Sequence, residues 1–211
     1  MYRVKEIFYS IQGEGYYSGR PAVFCRFAGC NLWSGHEEDR TEALCPFCDT
    51  DFVGTDGTYG GSYETARILA GQIRALWPEP EAKAKPFVVC TGGEPLLQLD
   101  DALIAALHDE EFEIAVETNG TLKAPGGIDW ICVSPKAEAD LLLTSGDELK
   151  LVYPQTGAEP DKYELLDFRH FFLQPMDGPN CDDAAAQALA YVLMHPRWRI
   201  GLQLHKILHV Q

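Results

Sequence analysis

Two rhythms of apolar and polar positions alternate along the chain. Short runs of apolar, β-branched or aromatic residues at 4–11, 22–27, 87–90, 113–117, 130–133, 149–153, 170–173 and 200–204 read as strands. Between them Ala66, Leu69, Ile73 and Leu76 recur at helical spacing, as do Leu103, Ile104 and Leu107, and Leu189, Val192 and Leu193. The first of these helices has Ser62 and Thr65 as capping candidates and must stop before Pro78, whose ring blocks continuation. Strands interleaved with helices predict parallel βαβ units, in which a crossover takes about a dozen residues or more. Two connections are too short for a full helix. Gly120, Pro125, Gly126 and Gly127 punctuate 118–129, and 135–147 offers only the brief helix-like run 137–143. The pattern therefore predicts an α/β fold: a curved, mostly parallel sheet or partial (β/α) barrel with about six core parallel strands and reduced helices. The carboxyl edge of such a sheet is where chemistry is expected.

Composition narrows the class. The 211 residues show no internal repeat, low-complexity tract or Gly/Pro-rich linker, so 1–211 reads as a single domain. No apolar stretch approaches the roughly 18 residues of a spanning helix, and the first residues lack a signal-peptide pattern, so no membrane association is expected and the cytoplasm is the expected compartment. Seventeen basic against 32 acidic residues leave a formal charge of −15, which opposes binding to a phosphate backbone and makes a nucleic-acid partner unexpected. Seven cysteines is an odd number for disulfides, and a reducing compartment would keep them as thiols.

Cys30, Cys45 and Cys48 stand as Cys-x14-Cys-x2-Cys on an irregular, turn-rich stretch between a strand and a helix. Three soft thiolates suit an iron-sulfur cluster or zinc. A structural zinc site wants four ligands and a structural cluster usually four cysteines, so three leave one coordination position open. A zinc site completed by His36 is the plainer reading of the spacing, and would make the chain a zinc-stabilised binding module. Cys25, Cys90 and Cys132 sit inside apolar strand runs as small hydrophobes, and Cys181 starts the last long helix. Thr91-Gly92-Gly93-Glu94-Pro95 follows the 87–90 strand, where glycines let a ligand approach the backbone and Glu94 supplies an acceptor.

Three cysteines in one loop, followed after a later strand by Gly-Gly-Glu-Pro, resemble the radical S-adenosylmethionine (SAM) enzymes. The resemblance implies a radical SAM type of partial barrel, and a 4Fe-4S cluster on Cys30, Cys45 and Cys48 whose fourth iron is chelated by the amine and carboxylate of SAM. It also implies that Gly93 and Glu94 meet the methionyl group, and that reductive cleavage yields a 5′-deoxyadenosyl radical. The usual spacing is Cys-x3-Cys-x2-Cys, so 31–44 reads as a cluster-loop insertion. Loop closure grows only slowly with length, and such an insertion is tolerable. Its charged run Glu37-Glu38-Asp39-Arg40 reads as a solvated excursion.

Further segments, taken as a set, resemble the 7-carboxy-7-deazaguanine synthase family over nearly the whole chain. They are Phe8 to Gly15 (Phe-Tyr-Ser-Ile-Gln-Gly-Glu-Gly), Arg26, Cys48-Asp49-Thr50, Glu117-Thr118-Asn119-Gly120, Ser134-Pro135-Lys136, Gln174-Pro175-Met176-Asp177 and Gln203-Leu204-His205-Lys206. The resemblance implies Mg2+- and SAM-dependent ring contraction of 6-carboxy-5,6,7,8-tetrahydropterin with release of ammonia, on the route to 7-deazapurines such as queuosine. In that reading Ile11, Gln12, Gly13, Glu14 and Thr91 meet the pterin, and Arg26 forks its carboxylate. Thr50 binds Mg2+ with the substrate carboxylate. Glu117, Ser134, Pro135, Lys136 and the segment from Gln174 to Asp177 meet SAM. His205 and Lys206 close the last strand, and the tail to Gln211 folds over the substrate. A flavodoxin-type reductant and a homodimer are the expected partners. A glycyl-radical activating enzyme would share the cluster, but the Gln12-Gly13-Glu14 and Arg26 signatures argue against it.

Overall fold

In the computed structural model, which describes residues 1–78 and 84–211, nine strands form one sheet. In chain order they are β1 (Tyr2–Ile11), β2 (Pro21–Phe27), β3 (Gly61–Tyr63), β4 (Phe87–Gly92), β5 (Glu113–Thr118), β6 (Trp130–Val133), β7 (Ser145–Tyr153), β8 (Asp167–Pro175) and β9 (Trp198–Ile200). Their spatial order is β3-β1-β2-β4-β5-β6-β7-β8-β9. From β2 to β9 each neighbouring pair is parallel, whereas β1 runs antiparallel to both β2 and β3. The parallel run thus holds seven strands, the last only three residues long, where the pattern predicts about six. Four helices, α1 (Ala66–Leu76), α2 (Asp101–Asp109), α3 (Cys181–Met194) and α4 (Leu204–Leu208), accompany the sheet.

Parallel strands covered on both faces carry near-continuous apolar runs, which is why β2 and β4 are buried along most of their length. Helix α1 opens at Thr65, whose hydroxyl accepts from Ile68 N at 3.3 Å, and buries Leu69, Ala70 and Ile73. Ser62, the other capping candidate, belongs instead to β3; three residues are too few to show an alternating pattern. Helix α2 is capped by Asp100, which accepts from Leu103 N at 2.9 Å and from the Tyr2 hydroxyl at 2.7 Å. The connections 119–129 and 134–144 contain turns and no helix, the first as its glycines imply; the helix-like run 137–143 makes only a turn at its start.

Two expectations change. Leu189 and Leu193, at helical spacing, are exposed on α3; the buried stripe is Ala184 and Ala188, small residues that let the helix lie close on β8. The run 200–204 is a strand only at Ile200. Gly201 N still bonds to Leu173 O at 2.7 Å, but Leu204 N then bonds to Gly13 O at 2.8 Å and the chain turns into α4. His205 and Lys206 therefore ride on a short helix rather than closing a strand.

Candidate active site

The carboxyl ends of the parallel strands open on a cavity of about 440 Å³, within the range of small-molecule sites. From the end of β1 come Ile11, Gln12, Gly13 and Glu14, and from β2 Arg26. The loop after β2 brings Cys30, Cys45, Cys48 and Thr50 to the lining. Strand ends contribute Thr91 and Gly93 at β4, Glu117 at β5, and Ser134 and Lys136 after β6. Gln174, Pro175, Met176 and Asp177 follow from β8, and His205 and Gln211 from the carboxyl-terminal stretch. The strand-end residues from β2 to β8 converge because parallel strands all end at one edge, whereas antiparallel β1 ends opposite the start of β2, Ile11 pairing with Pro21, and brings Ile11 to Glu14 in from the other side.

Two of the residues expected in the site lie behind its wall. Pro135 does not reach the lining, and Glu94 is fully buried. Glu94 Oε1 accepts from Leu96 N at 2.9 Å and Thr118 Oγ1 at 2.8 Å, and Oε2 from Asn119 N at 2.8 Å. The carboxylate thus ties the Gly-Gly loop to the end of β5 rather than facing the cavity; burial raises its pKa against those donors.

The floor is a polar network. Lys150 Nζ pairs with Glu14 and, at 3.3 Å, with Glu117 Oε1. Gln174 Nε2 and Gln203 Nε2 each donate to Glu14 Oε1 at 2.9 Å, and Gln12 Nε2 donates to Glu117 Oε1 at 3.1 Å. Burial by itself would raise the Glu14 pKa; the Lys150 ammonium and the two amides outweigh it and hold the carboxyl well below the ordinary range. Burial likewise works against the Lys150 charge, and Glu117 and Glu14 more than restore it. Beneath them Glu148 accepts from Tyr16 N at 3.0 Å, and burial pushes its carboxyl up. The sequence reading missed Lys150; the signal was there, a lone lysine inside the apolar run 149–153. Cys132, read as simple core, also reaches the lining, beside these charges.

The wall is pinned by ion pairs. A bulge in β1 between Val4 and Glu6 turns adjacent Lys5 and Glu6 toward the cavity. Lys5 Nζ binds Asp51 at 2.8 Å and Asp56 at 2.7 Å, fixing the loop beyond Thr50. Glu6 takes Arg26 Nε at 2.8 Å and Gln211 Nε2 at 3.0 Å, so Arg26 keeps its terminal guanidinium nitrogens clear of that pair. Lys206 bridges Asp49 at 2.6 Å and Asp177 at 2.7 Å, joining the cysteine loop to the end of β8 across α4.

The donor set fits an iron-sulfur cluster. Among the described residues no three His, Cys, Asp or Glu side chains are grouped to enclose a single ion, and His36 is exposed and outside the lining. A cluster that gives each thiolate its own iron needs no common point. Cys48 is held below the usual thiol range by a hydrogen bond from Cys45, against burial, and Cys30 is raised by burial. Gly93 packs directly on this loop: a Cβ there would stand 2.2 Å from Gly29 O and 2.8 Å from Cys30 Cβ. Gln174 Oε1 is buried and has no partner among the described residues, an acceptor left for a ligand N–H. Lys136 Nζ closes on Ser134 O at 2.6 Å and Oγ at 2.7 Å, and burial lowers its pKa.

No protein-family model matches the chain. It is 61% identical over 208 residues, 98% of both chains, to the 7-carboxy-7-deazaguanine synthase of Caulobacter vibrioides. It is 58% identical to that of Burkholderia multivorans, over 99% of each. Its fold is similar to the crystal structure of QueE from Escherichia coli, with a TM-score of 0.67 and 26% identity over 97% of this chain and 94% of that one. With such identity along its whole length, and three cysteines facing a cavity built to take a small molecule, the chain belongs to the 7-carboxy-7-deazaguanine synthase family of radical SAM enzymes.

Proposed function

We propose that the chain contracts 6-carboxy-5,6,7,8-tetrahydropterin to 7-carboxy-7-deazaguanine with loss of ammonia, for 7-deazapurine synthesis. The observation that carries this is the meeting, in one cavity, of Cys30, Cys45 and Cys48 with the polar floor of Gln12, Glu14, Glu117, Lys150 and Gln174. The three cysteines would hold the 4Fe-4S cluster, which with SAM supplies the radical that removes a hydrogen atom from the substrate.

The protein's part is to bind, orient and exclude water. Glu14, held ionised by Lys150, and Glu117, paired with the same ammonium, present acceptors to the ring amines of the pterin, and the end of β1 adds backbone groups. Arg26, whose Nε is taken by Glu6, would bind the substrate carboxylate through its terminal nitrogens, and Thr50 would hold Mg2+, which would neutralise carboxylate charge. Gln174 Oε1, which has no partner among the described residues, would accept from the exocyclic amine of the adenine. Ser134 and Lys136 face the ribose and carboxylate of SAM, and Glu94 acts from behind by holding the Gly93 loop. Gln211, docked through Ser10 Oγ at 2.5 Å and Glu6, covers the substrate beside His205.

The same reading makes the sheet a partial barrel in one cytoplasmic domain that works as a homodimer with a flavodoxin-type reductant. Among the described residues no helix is long and apolar enough to cross a membrane. The test is anaerobic incubation with SAM, reductant, Mg2+ and the carboxylated tetrahydropterin. Deazaguanine product and catalytic hydrogen transfer are expected from a brown protein; an intact cluster that gives only traces of deoxyadenosine and no deazaguanine refutes the reading.

A further inference from the structure

The insertion 31–44 lengthens the first cysteine interval; Leu32 and Trp33 reach the cavity lining, and residues 34–44 do not. It is more ordered than its charge implies. Trp33 is buried edge-on to Phe52, with ring centroids 5.6 Å apart. Gly35, at φ +85°, fits so closely there that a Cβ would come 2.4 Å from Val53 Cγ2. The short 3-10 helix Glu37–Glu42 rests on this base.

Arg40, in the run that the sequence presents as solvated, turns back onto the cysteine loop. Its Nη1 donates to Pro46 O at 2.7 Å and Cys48 O at 3.0 Å. Its Nε donates to the Glu37 carboxylate at 2.8 Å, and the guanidinium lies 4.2 Å from the centroid of the Trp33 ring. The two carbonyls belong to the Cys45-x2-Cys48 turn itself. A planar guanidinium can hold both while stacking on an indole; an ammonium offers charge without that fixed fork.

We propose that Arg40 is a positioning residue for the iron-sulfur cluster, fixing the Cys45–Cys48 turn through two backbone carbonyls and placing a permanent positive charge against it. The inference rests on the cluster reading above. Second-shell hydrogen bonds orient metal ligands, and nearby charge and hydrogen bonding set cluster potentials, so both effects should be measurable.

The experiment compares wild type, Arg40→Gln, Arg40→Lys and, as a remote control, Arg169→Gln, each as anaerobically reconstituted full-length protein. Iron content, the rate of iron loss to a chelator and the cluster's midpoint potential are read alongside far-UV circular dichroism. Arg40→Gln is expected to lose iron about ten-fold faster, the lower end of the effect of removing an outer partner of a metal ligand, and to shift to a lower potential. Arg40→Lys should keep a near-wild-type potential but not the chelator resistance, and Arg169→Gln should match wild type. If Arg40→Gln does not fold, Arg40→Lys still carries the test through its iron-loss rate. Wild-type chelator resistance in either Arg40 variant overturns the proposal. A wild-type protein that takes up no iron overturns the cluster reading instead, so the two failures are distinct.

Discussion

Lys150 is buried and pairs with two partly buried carboxylates, and its removal takes that counter-charge from both Glu14 and Glu117. Lys150→Met should cost about 3 kcal/mol at pH 7, the lower end for breaking a buried pair because both carboxylates reach the cavity, as read from urea unfolding. Glu14 is held below its ordinary value of 4.5, so the stability it contributes is full above that pH and disappears as pH falls through the depressed value. The deficit of Lys150→Met should therefore shrink in acid; a constant deficit would show that packing, not charge, is lost. Glu148 has the opposite sign. Its carboxyl is raised by burial, so its contribution is full below 4.5 and is lost as pH rises through the raised value. Glu148→Gln keeps an acceptor for Tyr16 N and has no such loss, and its stability relative to wild type should climb as pH rises above 4.5. These two residues illustrate what the sequence hides: a lysine and a glutamate inside a strand run look like solvent-facing positions until neighbouring strands enclose them.

Two elements carry the site, the cysteine loop and α4. Cys45→Ala should abolish cluster assembly and activity, whereas Cys90→Ala, in fully buried β4, should cost about 1–2 kcal/mol of packing and leave iron content intact. Equal iron loss in both would contradict the division of the cysteines. At the other element, a Cβ on Gly13 would stand 2.1 Å from His205 Nδ1 and 3.0 Å from its backbone N, so Gly13→Ala must displace α4. Faster amide exchange over 203–211 and a raised KM for the pterin are expected, with little change in global stability. The strands other than three-residue β3, and α1, were legible because burial on one or both faces leaves an apolar record within each segment. The bounds of 200–204 were not. Ile200, Leu202 and Leu204 alternate as a strand would, yet two non-local bonds, Gly201 to Leu173 and Leu204 to Gly13, decide where that strand ends. Exposed Leu189 and Leu193 mislead in the same way, since helical spacing marks a face without saying whether anything covers it.

At the scale of the molecule, the exposed apolar side chains of α3, including Leu193 and Met194, fit the expected homodimer. Light scattering should give about twice the 23.5 kDa chain mass, and a monomeric mass would remove that expectation. The chain's own sequence determined the α/β class, the three cysteines set apart from the others, and about half of the residues that line the cavity, because strand ends and short motifs are local properties. Only the tertiary structure decided that Glu94 stands behind the wall, that Lys150 and Cys132 reach the floor, and that Arg40 folds back on the cysteine turn. Each depends on which distant segment occupies the next few ångströms. Burial, counter-charge and an available carbonyl are set by neighbours in space, and spacing along a chain does not record them.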